Sequence, residues 1–369
     1  MKDFSYWKKL HESEQLEEFS SNNIGFLWLK TKSIIRKELI TEFIHINNIT
    51  LHQTALGKQF VELFELLCKE PKYSHEILDD YIRAKNELQL KSLDTKQLVS
   101  ELYKLKNFDW GGDYQNSLDK YLVSRYVKTH KSYDVLISKF ETEIHAAVQG
   151  YVLNSWYNHW SSILIEHIFK SYPEVLPTVG QIKSVDFFIQ DIPFDLKVTY
   201  LPAEYIKFKR KEKELPVELT FLKSKATEAK IDFDKKAKDV DIYYEIVEKM
   251  KNKGNDFCNS ILTKLKNEKL EILKEVQNNP KILARWLYEN QGEMRFGSEN
   301  RLFLVLVDTE DFNNSWKLKR NLDKLKPSIL TYLQNFKHKK IEDLRISFNY
   351  KGKPQKFTAL SDIIFVVNK

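Results

Sequence analysis

Cysteine, glycine and proline are scarce in this chain of 369 residues, which contains 2, 10 and 9 of them. Cys68 and Cys258 stand far apart, with no cysteine or histidine at metal-ligand spacing beside them, so the sequence supports neither a disulfide framework nor a zinc site. Low glycine and proline together with 42% hydrophobic residues are typical of an ordered, helix-rich globular protein.

Long hydrophobic runs are also absent. The longest, "LFLVLV" and "IIFVV", are far shorter than the about 20 residues of a membrane span, and the charged N-terminal segment lacks the apolar core of a signal peptide. We therefore expect a soluble, cytoplasmic protein with no membrane partner. The P-loop, GxSxG, HExxH and Rossmann glycine motifs are missing as well, which leaves the enzyme classes that depend on them without support.

Charge is distributed unevenly along the chain. The net charge is +7; residues 1–145 hold 21 Lys and Arg against 22 Asp and Glu, and residues 146–369 hold 38 against 30, which gives −1 and +8. A basic C-terminal portion is compatible with a polyanionic partner, although an excess of this size also occurs on ordinary solvated surfaces.

The hydrophobic pattern predicts an α/β (α+β) protein with two domains. Apolar residues at three and four spacing predict a helical domain over residues 1–145. Residues 146–369 are predicted to form a core in which a mixed central sheet is flanked by helices. Its expected elements are a helix from about Asn154 to Lys170, two strands within 184–200, a charged helical stretch from Ala203 to about Gln277, and strands at "RLFLVLVD", "LRISFNY" and "TALSDIIFVVN".

The stretch "SVDFFIQDIPFDLKVTY" places three charges, Asp186, Asp195 and Lys197, inside an apolar strand pattern. Alternate side chains of a strand share a face, so Asp195 and Lys197 point the same way. A turn at "QDIP" would fold the two strands together and bring Asp186 near Asp195. Two carboxylates beside a lysine form a site suited to a hard divalent cation such as Mg²⁺.

These residues resemble the active-site core of the PD-(D/E)XK nuclease superfamily, with Asp186 as the first acid and Asp195-Leu196-Lys197 as the acid-x-lysine half; Val185 stands where proline is frequent. The resemblance implies a restriction-endonuclease-like fold. It also implies that Asp186, Asp195 and the carbonyl of Leu196 hold Mg²⁺, and that Lys197 orients or activates the attacking water and stabilises charge on the phosphate. Many members add a glutamate from the preceding helix, and Glu166 is the candidate here.

Two alternatives remain open for these residues. The acid-x-lysine tripeptide occurs four more times in the chain, and the instance at Asp195 is singled out only by its strand context, so an edge hairpin with Asp195 and Lys197 facing solvent is the other interpretation. Glu166 is either a third metal ligand or an ordinary glutamate on a helix surface.

Basic segments supply candidate DNA contacts. They are Lys207, Lys209, Arg210 and Lys211 in "YIKFKRKEKEL", and Arg295, Asn300 and Arg301 in the loop before "LFLVLV"; arginine can read guanine or clamp phosphate. The alternatives are a solvated helix face for the first group and an ion pair with a nearby acid for Arg301.

Because no motor domain is evident, the chain looks most like a stand-alone type II restriction endonuclease acting on double-stranded DNA with Mg²⁺. Such an enzyme is expected to have a cognate DNA methyltransferase, and palindromic cutting favours a homodimer. The alternatives are a repair, recombination or defence nuclease of the same fold, and a DNA-binding module with an inactive nuclease-like core.

Overall fold

The computed structural model describes residues 2–108, 117–290, 298–350 and 353–369. Helices and a mixed six-stranded sheet make up the fold in these ranges, which confirms the α/β class. Among the helices that are described, none combines the length and the apolar composition that a membrane crossing requires.

The N-terminal part is helical, as the spacing of apolar residues predicts. Asn22 shows how one of these helices begins, because its side-chain oxygen accepts hydrogen bonds from the N–H groups of Ile24 and Gly25. The helices are α1 (Phe4–Glu12), α2 (Glu17–Ser20), α3 (Asn23–Ser33), α4 (Lys37–Ile46), α5 (Leu56–Leu67), α6 (Pro71–Ser92), α7 (Thr95–Leu102), α8 (Leu118–Leu122), α9 (Tyr133–Lys139) and α10 (His145–Lys170), with π-helical segments at Val123–Val127 and Phe140–Ile144.

The sheet has the strand order β1-β2-β3-β4-β6-β5. β1 to β3 form an antiparallel meander, β4 runs parallel to β6, and β5 runs antiparallel to β6. The strands are β1 (Val175–Ile182), β2 (Val185–Ile189), β3 (Ile192–Tyr200), β4 (Arg301–Asp308), β5 (Arg345–Asn349) and β6 (Lys356–Asn368). Five of them were predicted from the sequence, whereas β1 was not.

The segment between β3 and β4 is helical and charged, again as predicted. Gly254 ends one helix with a positive φ of 58°, and Asn255 begins the next by accepting from the N–H of Cys258. The remaining helices are α11 (Ala203–Glu212), α12 (Glu218–Glu228), α13 (Asp239–Lys253), α14 (Asp256–Asn278), α15 (Pro280–Asn290), α16 (Leu322–Phe336) and α17 (Ile341–Leu344), with a 3₁₀-helix at Phe312–Arg320.

The chain divides into two packing units, and none of the three boundaries between them falls near residue 145. The first unit comprises residues 1–196 and 316–338, and the second comprises 197–315 and 339–369. In the first unit one hydrophobic core joins Trp7 and Trp28 of the N-terminal helices to Val185 and Phe188 of β2. Residues 1–145 therefore share their core with strands that the sequence assigned to a separate domain.

The second unit contains two cores of its own. One buries the C-terminal half of α14 together with α15 against β4, β5 and β6, and it includes Tyr288 and Phe303. The other lies among α12, α13 and the N-terminal half of α14, around Ile246 and Met250. β4 is buried from Arg301 to Val307, as expected of a strand with a neighbour on each side.

Candidate active site on strands β2 and β3

A tight hairpin joins β2 to β3. Ile189 pairs with Ile192, so the loop consists of Gln190 and Asp191, whose φ angles are 47° and 66°. Two successive positive φ values are those of a type I′ turn, whose twist matches the two strands that it joins. The predicted turn at "QDIP" is confirmed.

The pairing register brings the two acids together. Phe187 pairs with Phe194, and the same register extended by one residue sets Asp186 opposite Asp195. The side chain of Asp186 reaches across to β3, where its Oδ2 accepts a hydrogen bond of 2.8 Å from the backbone N–H of Leu196. This bond to a charged acceptor fixes the direction of the carboxylate, and it uses one of about four lone-pair sites that the carboxylate presents.

Asp195 lies inside the protein. It is only 7% exposed, and its strand pairs with β2. Lys197, two residues farther along β3, is half-buried and has the same strand phase as Asp195. The burial of Asp195 does not fit the alternative in which this side chain faces solvent. A buried carboxylate is costly unless a cation or hydrogen-bond donors compensate its charge.

The opposite face of the hairpin is aromatic. The ring of Phe187 stacks on Phe169 of α10 with centroids 4.9 Å apart, and Phe194 meets Phe336 of α16 edge-on at 6.0 Å. Neighbouring residues of a strand face opposite ways. α10 and α16 therefore cover the face of the hairpin opposite to Asp186 and Asp195.

The face of Asp186 is the one that meets the N-terminal helices. Phe188, which has the same strand phase as Asp186, contacts Phe26 of α3 with ring centroids 5.1 Å apart. The helical N-terminal part therefore packs on the same side of β2 as the first acid.

Glu166 is placed differently from the two aspartates. It lies on α10, one turn before Phe169, and its Oε2 accepts a hydrogen bond of 2.8 Å from Nζ of Lys170. No group of three or more metal-ligating side chains occurs in the described ranges. The structure thus brings Asp186 and Asp195 together and does not add Glu166 to them.

The basic segment of α11 separates into exposed and largely buried side chains. Lys207 and Lys211 are exposed, with Phe208 between them 43% exposed; Lys207 forms a surface ion pair of 2.6 Å with Glu204 on its own helix, which contributes little. Arg210 is 4% exposed, forms an ion pair with Glu268 and donates to the carbonyl of Pro216 at 2.8 Å. Arg210 therefore stabilises the packing of α11 on α14, and we remove it from the candidate DNA contacts.

Lys209 is also committed to internal partners. Its Nζ lies 2.7 Å from Glu212 and 2.8 Å from Glu275. Burial lowers the pKa of Lys209, but the hydrogen bonds to the two glutamates outweigh that effect and raise it overall. Lys209 is therefore held by glutamates of α11 and α14 rather than presented to a ligand. Neither Lys209 nor Arg210 remains a candidate DNA contact.

The segment before β4 is largely buried. Arg301 is 1% exposed, its Nη2 lies 3.1 Å from Glu299, and its guanidinium lies 4.9 Å from the ring centroid of Tyr288. Asn300 is fully buried, and its Oδ1 accepts from the N–H of Leu360 at 3.0 Å. The ion-pair alternative for Arg301 is confirmed, so base reading by Arg301 or Asn300 is not retained. Arg295 lies outside the described residues.

A charged cluster beside the hairpin turn was missed in the sequence. Lys30 of α3 is 3% exposed and its Nζ lies 2.5 Å from Asp79 of α6. Burial lowers the pKa of Lys30, whereas Asp79 and Asp191 of the turn act to raise it. The pKa of His75 is lowered, mainly by burial and to a smaller extent by the positive charge of Lys30. Nε2 of His75 lies 3.2 Å from the carbonyl oxygen of Asn23. A lysine inside the apolar run "FLWLK" and the i, i+4 spacing of His75 and Asp79 were the available signals.

The atoms of the paired strands that could bind a metal are oxygens. Mg²⁺ is commonly held by one or two carboxylates together with waters and substrate phosphates, so Asp186, Asp195 and the carbonyl of Leu196 fit this ion. Comparison of the chain with protein-family models, curated proteins and solved structures gave no match.

Proposed function

We propose that this protein is a Mg²⁺-dependent endodeoxyribonuclease of the PD-(D/E)XK type, and that it is a sequence-specific restriction enzyme. One observation carries the proposal: Asp186 and Asp195 lie on paired antiparallel strands, the Asp186 carboxylate is held by the N–H of Leu196 at 2.8 Å, and Lys197 follows on the same strand. These charged groups suit metal-dependent hydrolysis of a phosphodiester.

Asp186, Asp195 and the carbonyl of Leu196 are the groups that would hold the metal. Bound Mg²⁺ supplies two things to such a reaction, a water of lowered pKa and a positive charge that offsets the phosphate. The hydrogen bond from Leu196 orients the Asp186 carboxylate in advance, so that less reorganisation is needed when the ion binds.

Lys197 supplies a cation from the chain itself. Its ammonium has three donors, which suit both an attacking water and a non-bridging phosphate oxygen. In hydrolysis the water loses one proton to solvent as its oxygen joins phosphorus, the bond from phosphorus to the leaving sugar oxygen breaks, and that oxygen takes up one proton from solvent. A lysine on the strand of Asp195 stabilises the charge that develops on the phosphate during these changes.

The exposed side of α11 is the proposed site of backbone contact. Lys207, Phe208 and Lys211 combine positive charge with an aromatic ring on the exposed side of one helix, which suits phosphate binding with some stacking. These contacts give affinity without sequence information, so base reading must come from elsewhere in the chain.

Cleavage of plasmid DNA tests this function. Purified protein is incubated with unmethylated supercoiled plasmid at moderate salt in Mg²⁺, in Ca²⁺, or in EDTA. We expect discrete fragments in Mg²⁺ alone, with ends that map to one short recurring sequence, because restriction requires base-edge contacts as well as phosphate contacts. We also expect a DNA methyltransferase to protect that sequence.

Three other results would change the assignment in different ways. A smear, or cleavage confined to branched, flapped or single-stranded substrates, rejects restriction and keeps the hydrolytic site. Binding of DNA with no cleavage in Mg²⁺ indicates an inactive nuclease-like module. Neither binding nor cleavage rejects the nuclease proposal altogether.

A further inference from the structure

The pairing of β1 with β2 is interrupted opposite Asp186. On one side of the interruption Pro177 pairs with Phe187, and on the other side Ile182 pairs with Val185. Four residues of β1 therefore lie opposite the single residue Asp186 of β2. Such a β-bulge breaks the ladder locally and re-aims the side chains beside it, and bulges are frequent next to active sites. The irregular part of β1 thus coincides with the first acid of the proposed metal site.

The side chain of Thr178 supplies a hydrogen bond where the ladder is interrupted. Thr178 is the first residue of the bulge and is 8% exposed. Its Oγ1 donates to the backbone carbonyl oxygen of Asp186 at 3.0 Å and lies 3.3 Å from that of Val185. A hydroxyl group has one hydrogen to donate, and the shorter contact, to Asp186, is the better hydrogen bond.

Asp186 is therefore held from both of its neighbouring strands. From β3, the N–H of Leu196 donates to the carboxylate at 2.8 Å, which orients that group. From β1, the hydroxyl of Thr178 donates to the main-chain carbonyl, which restricts the ψ rotation of Asp186 and with it the direction of the Cα–Cβ bond. Partners that orient a metal ligand in this way govern how tightly the site binds its metal.

The bulge is part of the packed core. Val179, which follows Thr178, belongs to the hydrophobic core of the first packing unit. A Cβ atom on Gly180 would overlap the backbone carbonyl oxygen of Ser33, which is 1% exposed. The main chain of the bulge therefore approaches α3 more closely than a residue with a side chain would allow. The segment that carries Thr178 is held by these contacts and is not a surface loop.

We propose that Thr178 is a positioning residue for Asp186, and that its hydroxyl sets the affinity of the site for a divalent cation. This inference rests on the proposed function, because Asp186 enters it as a metal ligand. In this role Thr178 acts through the main chain of Asp186 rather than on the metal or the phosphate. Loss of the hydroxyl should therefore weaken metal binding and leave the rate at saturating Mg²⁺ almost unchanged.

Binding of Mn²⁺ to the full chain without DNA tests this role. Mn²⁺ prefers the same oxygen ligands as Mg²⁺, and electron paramagnetic resonance measures the free ion. Thr178→Val keeps the branched shape that suits a strand and removes the hydroxyl. We expect it to raise the Kd for Mn²⁺ about tenfold, the lower end of the effect of such a partner. Thr178→Ser keeps the hydroxyl and should stay within about threefold of the wild type.

Thr309→Val is the matched control. The hydroxyl of Thr309 is also buried, and it donates to a main-chain carbonyl oxygen, that of Asn368, at 2.9 Å. Its loss should lower stability by the same mechanism, but Thr309 follows β4 and has no part in the proposed site, so the Kd for Mn²⁺ should not change. Urea denaturation shows whether the variants are folded, and Thr178→Ala replaces Thr178→Val if the latter unfolds.

The Mg²⁺ dependence of plasmid cleavage supplies a second measurement. Thr178→Val should need about tenfold more Mg²⁺ to reach half of its maximal rate, and the maximal rate should stay within about twofold of the wild type. A purely structural role would instead lower the maximal rate through loss of folded protein, and the half-saturating Mg²⁺ concentration would stay the same.

The proposal is overturned if Thr178→Val binds Mn²⁺ as tightly as the wild type, if Thr309→Val weakens binding equally, or if Thr178→Ser binds no better than Thr178→Val. Asp186→Asn separates this failure from that of the metal site. If Asp186→Asn loses Mn²⁺ while Thr178→Val keeps it, only the role of Thr178 is rejected.

Two further results bear on the proposed function itself. If the wild type binds no Mn²⁺, or if Asp186→Asn binds it as the wild type does, the metal site is wrong and the role of Thr178 is rejected with it. If Thr178→Val weakens Mn²⁺ binding but the wild type cleaves no plasmid, the role of Thr178 is kept and the nuclease is rejected.

Discussion

The carboxylate of Asp186 on β2 accepts a hydrogen bond of 2.8 Å from the backbone N–H of Leu196 on β3. The bond crosses the two strands at the position where the pairing register, extended from Phe187 and Phe194, sets Asp186 opposite Asp195. A main-chain donor therefore orients one acid while the adjacent residue of the same strand supplies the other. In the proposed function this pair would hold a cation, and the candidate chemistry would then belong to the hairpin rather than to a loop.

The first prediction concerns this pair. Asp186→Asn, Asp195→Asn and Lys197→Met should each lower the Mg²⁺-dependent cleavage rate by at least about a hundredfold, because each removes a charge from the proposed reaction site. The measurement is the initial rate of plasmid linearisation. Asp191→Asn is the matched control: Asp191 is in the turn of the same hairpin, is exposed, and has a positive φ that asparagine also tolerates.

The control should cleave at the wild-type rate. If Asp195→Asn cuts as fast as the wild type with Mg²⁺ present, the site has been assigned to the wrong residues. DNA affinity measured in Ca²⁺ should change little for Lys197→Met, which separates a loss of chemistry from a loss of binding.

The second prediction concerns Glu166. Because α10 covers the face of β2 opposite to Asp186 and Lys170 already donates to Glu166 at 2.8 Å, Glu166→Gln should leave the cleavage rate within about threefold of the wild type, the scale of removing a partly exposed ion pair. Lys170→Met breaks the same ion pair from the other side and should behave alike. A loss as large as that expected for Asp195→Asn, seen with Glu166→Gln alone, would restore Glu166 to the metal site.

Local patterns in the sequence predicted the hairpin correctly. Alternation of apolar and polar residues with period two, and a turn sequence between two such runs, are properties of a few neighbouring residues, and they sufficed for β2, β3 and the approach of Asp186 to Asp195. β4 and β6 were recognisable for a similar reason, because their apolar runs are long and rich in Val, Ile, Leu and Phe.

β1 was not predicted because its composition depends on a contact with a residue that is distant in the sequence. Pro177 and Gly180 argue against a strand in sequence. In the structure a Cβ at Gly180 would overlap the carbonyl oxygen of Ser33 on α3, so glycine is needed where helix and strand approach closely. The domain boundary near residue 145 failed to coincide with a packing boundary for a related reason: the core that joins Trp28 to Phe188 links residues far apart in the chain.

The burial of two arginines could not be predicted from the sequence either. Arg210 and Arg301 occur in basic stretches that look like phosphate-binding surfaces, yet both are almost fully buried beside a glutamate. Sequence shows that a charge is present, but a partner 58 residues away, as Glu268 is from Arg210, leaves no local pattern.

The third prediction follows from the burial of Arg301. Arg301→Met should lower the free energy of unfolding by about 3–5 kcal/mol, because Glu299, 2% exposed, would lose the cation beside it. Urea denaturation measures the change. Lys211→Met, at an exposed position on α11, should change stability by less than about 0.5 kcal/mol. Unchanged stability of Arg301→Met together with relaxed sequence preference would instead support the prediction from sequence that Arg301 reads a base.

The fourth prediction concerns DNA affinity. Log Kd should rise linearly with log salt concentration through counterion release, and Lys207→Glu with Lys211→Glu should reduce that slope by about 1 for each phosphate that is no longer neutralised. Fluorescence anisotropy of a labelled duplex in Ca²⁺ gives the slope. Lys91→Glu is the control, since Lys91 is 76% exposed beside an acid on its own helix; equal slopes for all three proteins would remove α11 from the interface.

The fifth prediction concerns a buried lysine. Lys319 is 7% exposed, and its Nζ donates to Oδ1 of Asn158 at 2.8 Å. Burial lowers the pKa of Lys319 from 10.5 to about 8, so between these values the unfolded chain holds the proton more often than the folded chain. Stability from this group therefore rises as pH increases from about 8 towards 10.5, and at pH 7 the buried charge costs about 3 kcal/mol.

Replacing that lysine should reveal the cost. Lys319→Met should be more stable than the wild type at about pH 7 by about 1–2 kcal/mol, once the missing hydrogen bond to Asn158 is subtracted. The advantage should shrink at about pH 10, where the wild type no longer carries its buried charge. Urea denaturation at both pH values gives the two differences. Lys317→Met, two residues away at an exposed position, should show neither effect. If the difference in unfolding free energy between Lys319→Met and the wild type stays constant with pH, burial does not lower the pKa of Lys319.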